Sequence, residues 1–108
     1  MLEMALFKTR IRHIFVGFLL VLGSSAAEAA NPVKGGEIYN LHCAACHGGS
    51  GMAVMPGAPN FARNERMVRP DAFILEDIKR GKNAMPAYQG VLSDRDILDV
   101  ISYMRTLN

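Results

Sequence analysis

Two cysteines and a histidine fall within one short run, Cys43-Ala44-Ala45-Cys46-His47, in a chain that has no other cysteine. No other feature constrains the fold as much. Thiols this close together cannot staple distant parts of a chain, so a disulfide framework is excluded as the source of stability. The domain that carries them is nonetheless small, and small chains bury too little surface to hold themselves together easily. Exported domains of this size usually add disulfides or a metal centre. The cluster therefore points to a bound group that completes the core.

The N-terminal segment, residues 1–30, carries an export signal. Lys8, Arg10 and Arg12 precede the apolar stretch 14–22, and Gly23, Ser24, Ser25 and Ala26 follow it. A basic start, a short apolar core and a small-residue end describe a secretory signal peptide. Ala27-Glu28-Ala29 fits the A-x-A cleavage pattern, which predicts cleavage near Ala29 and Ala30 and leaves a domain of residues 31–108. The stretch 14–22 is well short of the ~20 residues that cross a bilayer. Extended to Ala27, it would serve instead as an uncleaved anchor. The predicted location is the periplasm.

Length and charge exclude several classes. A chain of 108 residues is too short for a multidomain enzyme, a repeat solenoid or a full Rossmann or barrel scaffold. Its formal net charge of +2 lacks the strong basic excess of a nucleic-acid binder.

Three helices are predicted after the leader. Asn31-Pro32 is a good helix start, because Asn accepts from orphan N–H groups and Pro is tolerated at the first helical position. That helix runs from Val33 towards Cys43, weakened locally by Gly35 and Gly36. Residues 47–70 form a loop rich in Gly and Pro, too long for a compact domain unless it has a function. Asp71 is expected to cap a second helix carrying Phe73, Ile74, Leu75 and Ile78, which Gly81 ends. Ser93-Asp94-Arg95-Asp96 resembles a capping box. It opens a last helix with the stripe Ile97, Val100, Ile101, Met104 and Leu107. No stretch alternates as a strand would, so the domain is predicted to be all-α.

The pattern C-x-x-C-H is the attachment signature of c-type haem. Two thiols at this spacing reach both vinyl groups on one edge of a porphyrin, and the adjacent imidazole lies where it can bind the iron. Thioredoxin-like chemistry would need a βαβ context that is missing here. A zinc site drawn from His42, Cys43, Cys46 and His47 would have to close a tetrahedral shell from one short run, which rarely succeeds. A plain disulfide needs no histidine. For a second axial ligand the domain offers Met52, Met55, Met67, Met85 and Met104. Met104 belongs to the helical stripe, and Met52 and Met55 follow His47 too closely for the chain to round the ring edge. Met67 and Met85 remain, and Pro86 stiffens the segment that carries Met85.

With an early haem motif and a Met-bearing loop before the last helix, residues 33–107 resemble the small class I monohaem cytochromes c. The resemblance implies a cytochrome c-like fold, about three helices with long loops wrapped around one covalently bound haem c. It implies that Cys43 and Cys46 bind the haem covalently and that His47 and Met85 are the axial ligands of its iron. In Pro59-Asn60-Phe61 it makes the Pro59 carbonyl the acceptor of a hydrogen bond from the ligand imidazole, which fixes the ring and raises its basicity. Phe61 would pack on the porphyrin. Gly35 would let the first and last helices approach closely, with Tyr39 and Tyr103 filling the crossing. His42 is expected to face solvent or the propionates. Arg63, Arg66, Arg69, Lys79, Arg80 and Lys82 are interrupted by acidic residues, and one or two of them would neutralise the propionates.

His/Met ligation fills both axial positions and raises the reduction potential. The implied function is a one-electron carrier of a respiratory chain, not an enzyme, cycling between ferric and ferrous haem. It would be a monomer without a membrane span after cleavage, docking through a small transient interface. Its partners would be redox proteins such as a periplasmic reductase, terminal oxidase or dehydrogenase, and not nucleic acid. Two rivals stand beside this reading. One is a haem subunit held tightly in a periplasmic oxidoreductase complex. The other is a sensor or peroxidase with an open sixth position, which Met85 argues against.

Overall fold

A computed structural model describes residues 3–6 and 27–108 of the chain. The leader's basic start and its apolar stretch 14–22 lie outside the described residues. Among the described residues, no helix is long and apolar enough to cross a membrane.

Three helices carry the domain: α1 (Pro32–His42), α3 (Asp71–Arg80) and α4 (Asp94–Met104), with one further turn, α2 (Ala44–His47), directly after α1. Their starts follow from local chemistry. The Asn31 side chain accepts from the N–H groups of Val33 at 3.0 Å and Lys34 at 3.2 Å, with Pro32 in the first turn. Ser93 and Asp96 form a reciprocal capping box at the start of α4. At α3 the expectation is corrected. Pro70 occupies the cap position in extended geometry, and Asp71 is already the first helical residue. Its carboxylate lies in the positive first turn and accepts from Arg105 instead.

The α1–α4 crossing is the centre of the fold. A Cβ on Gly35 would stand 1.9 Å from the Asp99 carbonyl oxygen, so the two backbones touch where only glycine fits. Tyr39 is fully buried beside this contact, its ring centre 5.2 Å from that of Tyr103. Ile97, Val100, Ile101 and Met104 of α4 and Ile74 and Ile78 of α3 complete the core with Phe61 and Met67. Isolated bridges join Lys82 to Met85 and Gln89 to Leu92. No strand forms among the described residues, and the fold is all-α.

The long loop between α2 and α3 is pinned rather than slack. Val54 and Met55 both donate to the Cys46 carbonyl, and a 3-10 turn covers Phe61–Arg63. The Arg105 guanidinium donates to the carbonyls of Met67 and Arg69, both at 2.9 Å, and to Asp71. One side chain thereby ties the end of the loop to the end of α4.

Candidate functional site

The cluster 43–47 sits at a break between two helical pieces. Cys43 closes α1 by donating its N–H to Tyr39 at 2.8 Å, and α2 restarts at Ala44. The sequence pattern predicts one helix ending near Cys43 and gives no sign of this extra turn. Gly48 stops α2 with φ of 80° and the Tyr39 hydroxyl donates to its carbonyl at 2.7 Å. A Cβ on Gly48 would fall 1.9 Å from the Met52 oxygen, so the chain can turn back only through glycine. Burial pushes the Tyr39 hydroxyl up to about 12, so this donor keeps its proton.

Cys43, Cys46 and His47 all line one cavity of about 940 Å³. Both thiols are free and half-buried. Burial, with Cys46 beside it, pushes the Cys43 thiol up to about 11. The His47 ring is buried, and its Nδ1 lies 3.1 Å from the Pro59 carbonyl oxygen. A carbonyl only accepts, so the proton sits on Nδ1 and the Nε2 lone pair is left available for a metal. Phe61 stacks on the same imidazole. Phe61 thus touches His47 directly as well as lining the cavity.

The methionines separate by location. Met85 is half-buried and lines the cavity, as do the buried Met67 and Met104. Met55 reaches it from the rim, 41% exposed, and Met52 does not reach it. Met104 therefore serves both as core residue and as cavity wall. The segment bearing Met85 is short and braced. Gly81 ends α3 with φ of 70°, Lys82 and Met85 exchange backbone hydrogen bonds, and Tyr88 and Gln89 donate back to Ile78 and Lys79.

These walls fit a porphyrin. Phe61, Met67, Ile74, Ile78 and Met104 offer apolar surface, and the two thiols, the imidazole and the Met85 thioether line the same cavity. Arg66 and Lys82 line the cavity without a salt-bridge partner among the described residues, whereas Arg69 is bound to Asp77 at 2.6 Å. That guanidinium holds the Asp77 carboxyl below its usual range. His42 is exposed, as expected, and meets the Tyr88 ring edge-on. Among the described residues, no three His, Cys, Asp or Glu side chains gather to hold a bare metal ion.

Two contributors escape sequence reasoning. Tyr88 follows Met85 closely and lines the cavity, but nothing in its spacing reveals its partner. Arg105 stands at the C-terminus of α4, where basic residues commonly meet carbonyls, and that position was the available signal.

A family model described as cytochrome c oxidase, cbb3-type, subunit III matches residues 30–104. The chain is 41% identical to cytochrome c6 of Thermosynechococcus vestitus over 91 residues, covering 80% of this chain and 79% of that protein. It is 37% identical to cytochrome c6 of Gracilaria tenuistipitata over 96 residues, 87% of this chain and 84% of the relative. With cytochrome c6 of Pyropia yezoensis the identity is 35% over 102 residues, 90% of this chain and 92% of the relative.

Proposed function

Because the chain belongs to the class I monohaem c-type cytochromes, we propose that it is a periplasmic electron carrier whose haem iron is held between His47 and Met85. The protein carries one covalently bound haem c and transfers electrons rather than catalysing a reaction on a substrate. Cys43 and Cys46 are the attachment points. The cofactor, when bound, supplies a ferric/ferrous couple whose potential a thioether ligand raises.

The chain's own residues do the rest. The Pro59 carbonyl accepts a hydrogen bond from the Nδ1–H of His47, so the ring presents Nε2 in a fixed orientation and as a stronger ligand. Met85 comes from a braced segment, so its position is set before any ligand binds. Phe61, Ile74, Ile78 and Met104 would give the porphyrin apolar walls, and Arg66 and Lys82 would receive its carboxylates. Held by both His47 and Met85, the cofactor would exchange electrons with little movement of these side chains. Export to the periplasm rests on the leader, residues 1–30, and its A-x-A end.

The observation that carries this reading is the free Nε2 of His47 in the same cavity that Met85 lines. It is tested on the exported protein by absorption spectroscopy. The ferric form should show the weak far-red sulfur-to-iron band, and the reduced form should bind carbon monoxide poorly. Ready carbon monoxide binding would mean an open sixth position and favour the sensor or peroxidase. A second reading, a haem subunit held in an oxidoreductase complex, draws on the description of the matching family model. Co-purification of a larger partner at stoichiometric ratio would favour it.

A further inference from the structure

Nearly all the bracing of residues 81–92 leads back to α3. Tyr88 and Gln89 donate their N–H groups to Ile78 and Lys79, and Lys82 and Met85 bond to each other. One contact leads elsewhere. The Tyr88 hydroxyl donates to the His42 carbonyl at 2.8 Å, 46 residues away in sequence. Among the hydrogen bonds of the described residues, it alone joins the Met85 segment to α1, at the residue before Cys43. The edge-on contact of the His42 and Tyr88 rings, centroids 5.7 Å apart, lies beside it. Burial raises the Tyr88 hydroxyl above its ordinary value, so the donor keeps its proton at neutral pH.

We propose that Tyr88 is a latch: its hydroxyl bond to the His42 carbonyl holds the Met85 segment against the Cys43–His47 segment and sets how often the sixth position opens. The inference rests on the assignment of Met85 as ligand and goes beyond it, by naming the residue that governs its residence. The carbonyl at position 42 belongs to the last residue of α1, where a helix has no amide of its own to satisfy it. The bond is therefore made at a point where the backbone needs a donor and where the haem-bearing turn begins. Met85 can leave the iron only if its segment moves, and the contact that ties this segment to α1 then has to stretch or break.

The test compares the exported holo-protein with Tyr88→Phe, which keeps the ring and removes the hydroxyl. Ferric protein is mixed with imidazole, whose binding is limited by departure of the methionine. Tyr88→Phe should keep its covalent haem and its far-red band, while imidazole binding at saturating concentration becomes roughly 2- to 10-fold faster, the effect of losing one hydrogen bond. Ser93→Ala is the control. It removes the α4 cap and lowers global stability, and it should leave the rate unchanged. An unaltered rate in Tyr88→Phe overturns the latch. So does a faster rate in both variants in proportion to lost stability, because exchange would then run through global unfolding. If the unmodified protein lacks the far-red band, the ligand assignment itself fails and the latch with it.

Discussion

The Phe61 ring lies on the His47 imidazole, centroids 4.4 Å apart and planes 19° from parallel. The same imidazole is bonded along its edge to the Pro59 carbonyl. One covered face and one bonded edge leave the ring no rotation that does not break a contact. The sequence explains how both arrive together, since Pro59 and Phe61 flank a single residue in the loop.

Phe61→Leu keeps an apolar side chain and removes the stacked face. Its expected cost is roughly 1 kcal/mol, the scale of an aromatic pair and of a near-isosteric core change. Phe61→Ala should cost about 3–5 kcal/mol, because it also opens a cavity. Urea unfolding of the two holo-proteins checks the order.

Met85→Ala removes the proposed thioether ligand and leaves Cys43, Cys46 and His47 intact. The variant should retain covalent haem, lose the far-red band, gain carbon monoxide binding and show a lower potential. Met67→Ala should leave the haem attachment, the band, carbon monoxide binding and the potential unchanged. Met67 is only 2% exposed in the cavity wall, so its loss should destabilise the fold by about 2–5 kcal/mol and spare the band. Loss of the band in Met67→Ala alone would transfer the ligand role.

Gly35→Ala drives a methyl group into the Asp99 carbonyl. Backbone on both sides cannot yield as a side chain would, so the α1–α4 crossing must separate. About 3 kcal/mol of stability should be lost. Gly49→Ala, where a Cβ meets nothing within 4 Å, should change stability by no more than about 0.5 kcal/mol, as surface substitutions usually do. Denaturant midpoints of the pair measure the difference.

Replacing Cys43 and Cys46 by Ser should abolish a stable fold. The cavity of about 940 Å³ has core residues among its walls, including Phe61, Ile74, Ile78 and Met104, and without the cofactor these lose their packing partner on that side. A cooperative thermal transition of the haem-free variant by circular dichroism would count against this.

Asp96 gives a pH signature. Its hydrogen bond from Lys34, 2.6 Å long, and those from Ser93 hold its carboxyl down to about 2. In the unfolded chain an aspartate takes up its proton near ~3.9. The folded value is the lower one, so the stabilisation is complete above the unfolded value and is lost as the pH falls towards the folded one. The stability difference between the natural protein and Asp96→Asn should be constant from neutral pH down to ~5, then shrink as acid is added. A difference that grows in acid would reverse the assignment.

The sequence by itself determined what depends on neighbours along the chain. Asn31-Pro32 and the Ser93/Asp96 box start their helices through bonds spanning two or three residues, and both form as their residues dictate. The stripe Ile97, Val100, Ile101 and Met104 buries one face of α4 because its period is helical. The pairing of His47 with Pro59 was legible through family resemblance, because loop order carries it.

Tertiary structure decided what depends on residues far apart in the chain. Local pattern made Asp71 a cap, yet Pro70 holds that place and Asp71 answers to Arg105, a partner 34 residues on. The break at Cys43 leaves no mark in periodicity, since both halves are helical. Met67, Met85 and Met104 are chemically the same residue, and only packing distinguishes a buried wall from a half-buried side chain on a braced turn. Tyr88 finds the His42 carbonyl because the fold brings the end of α1 beside the Met85 segment. A hydrogen bond across 46 residues is selected by the geometry of the whole chain, and no window of sequence contains both of its ends.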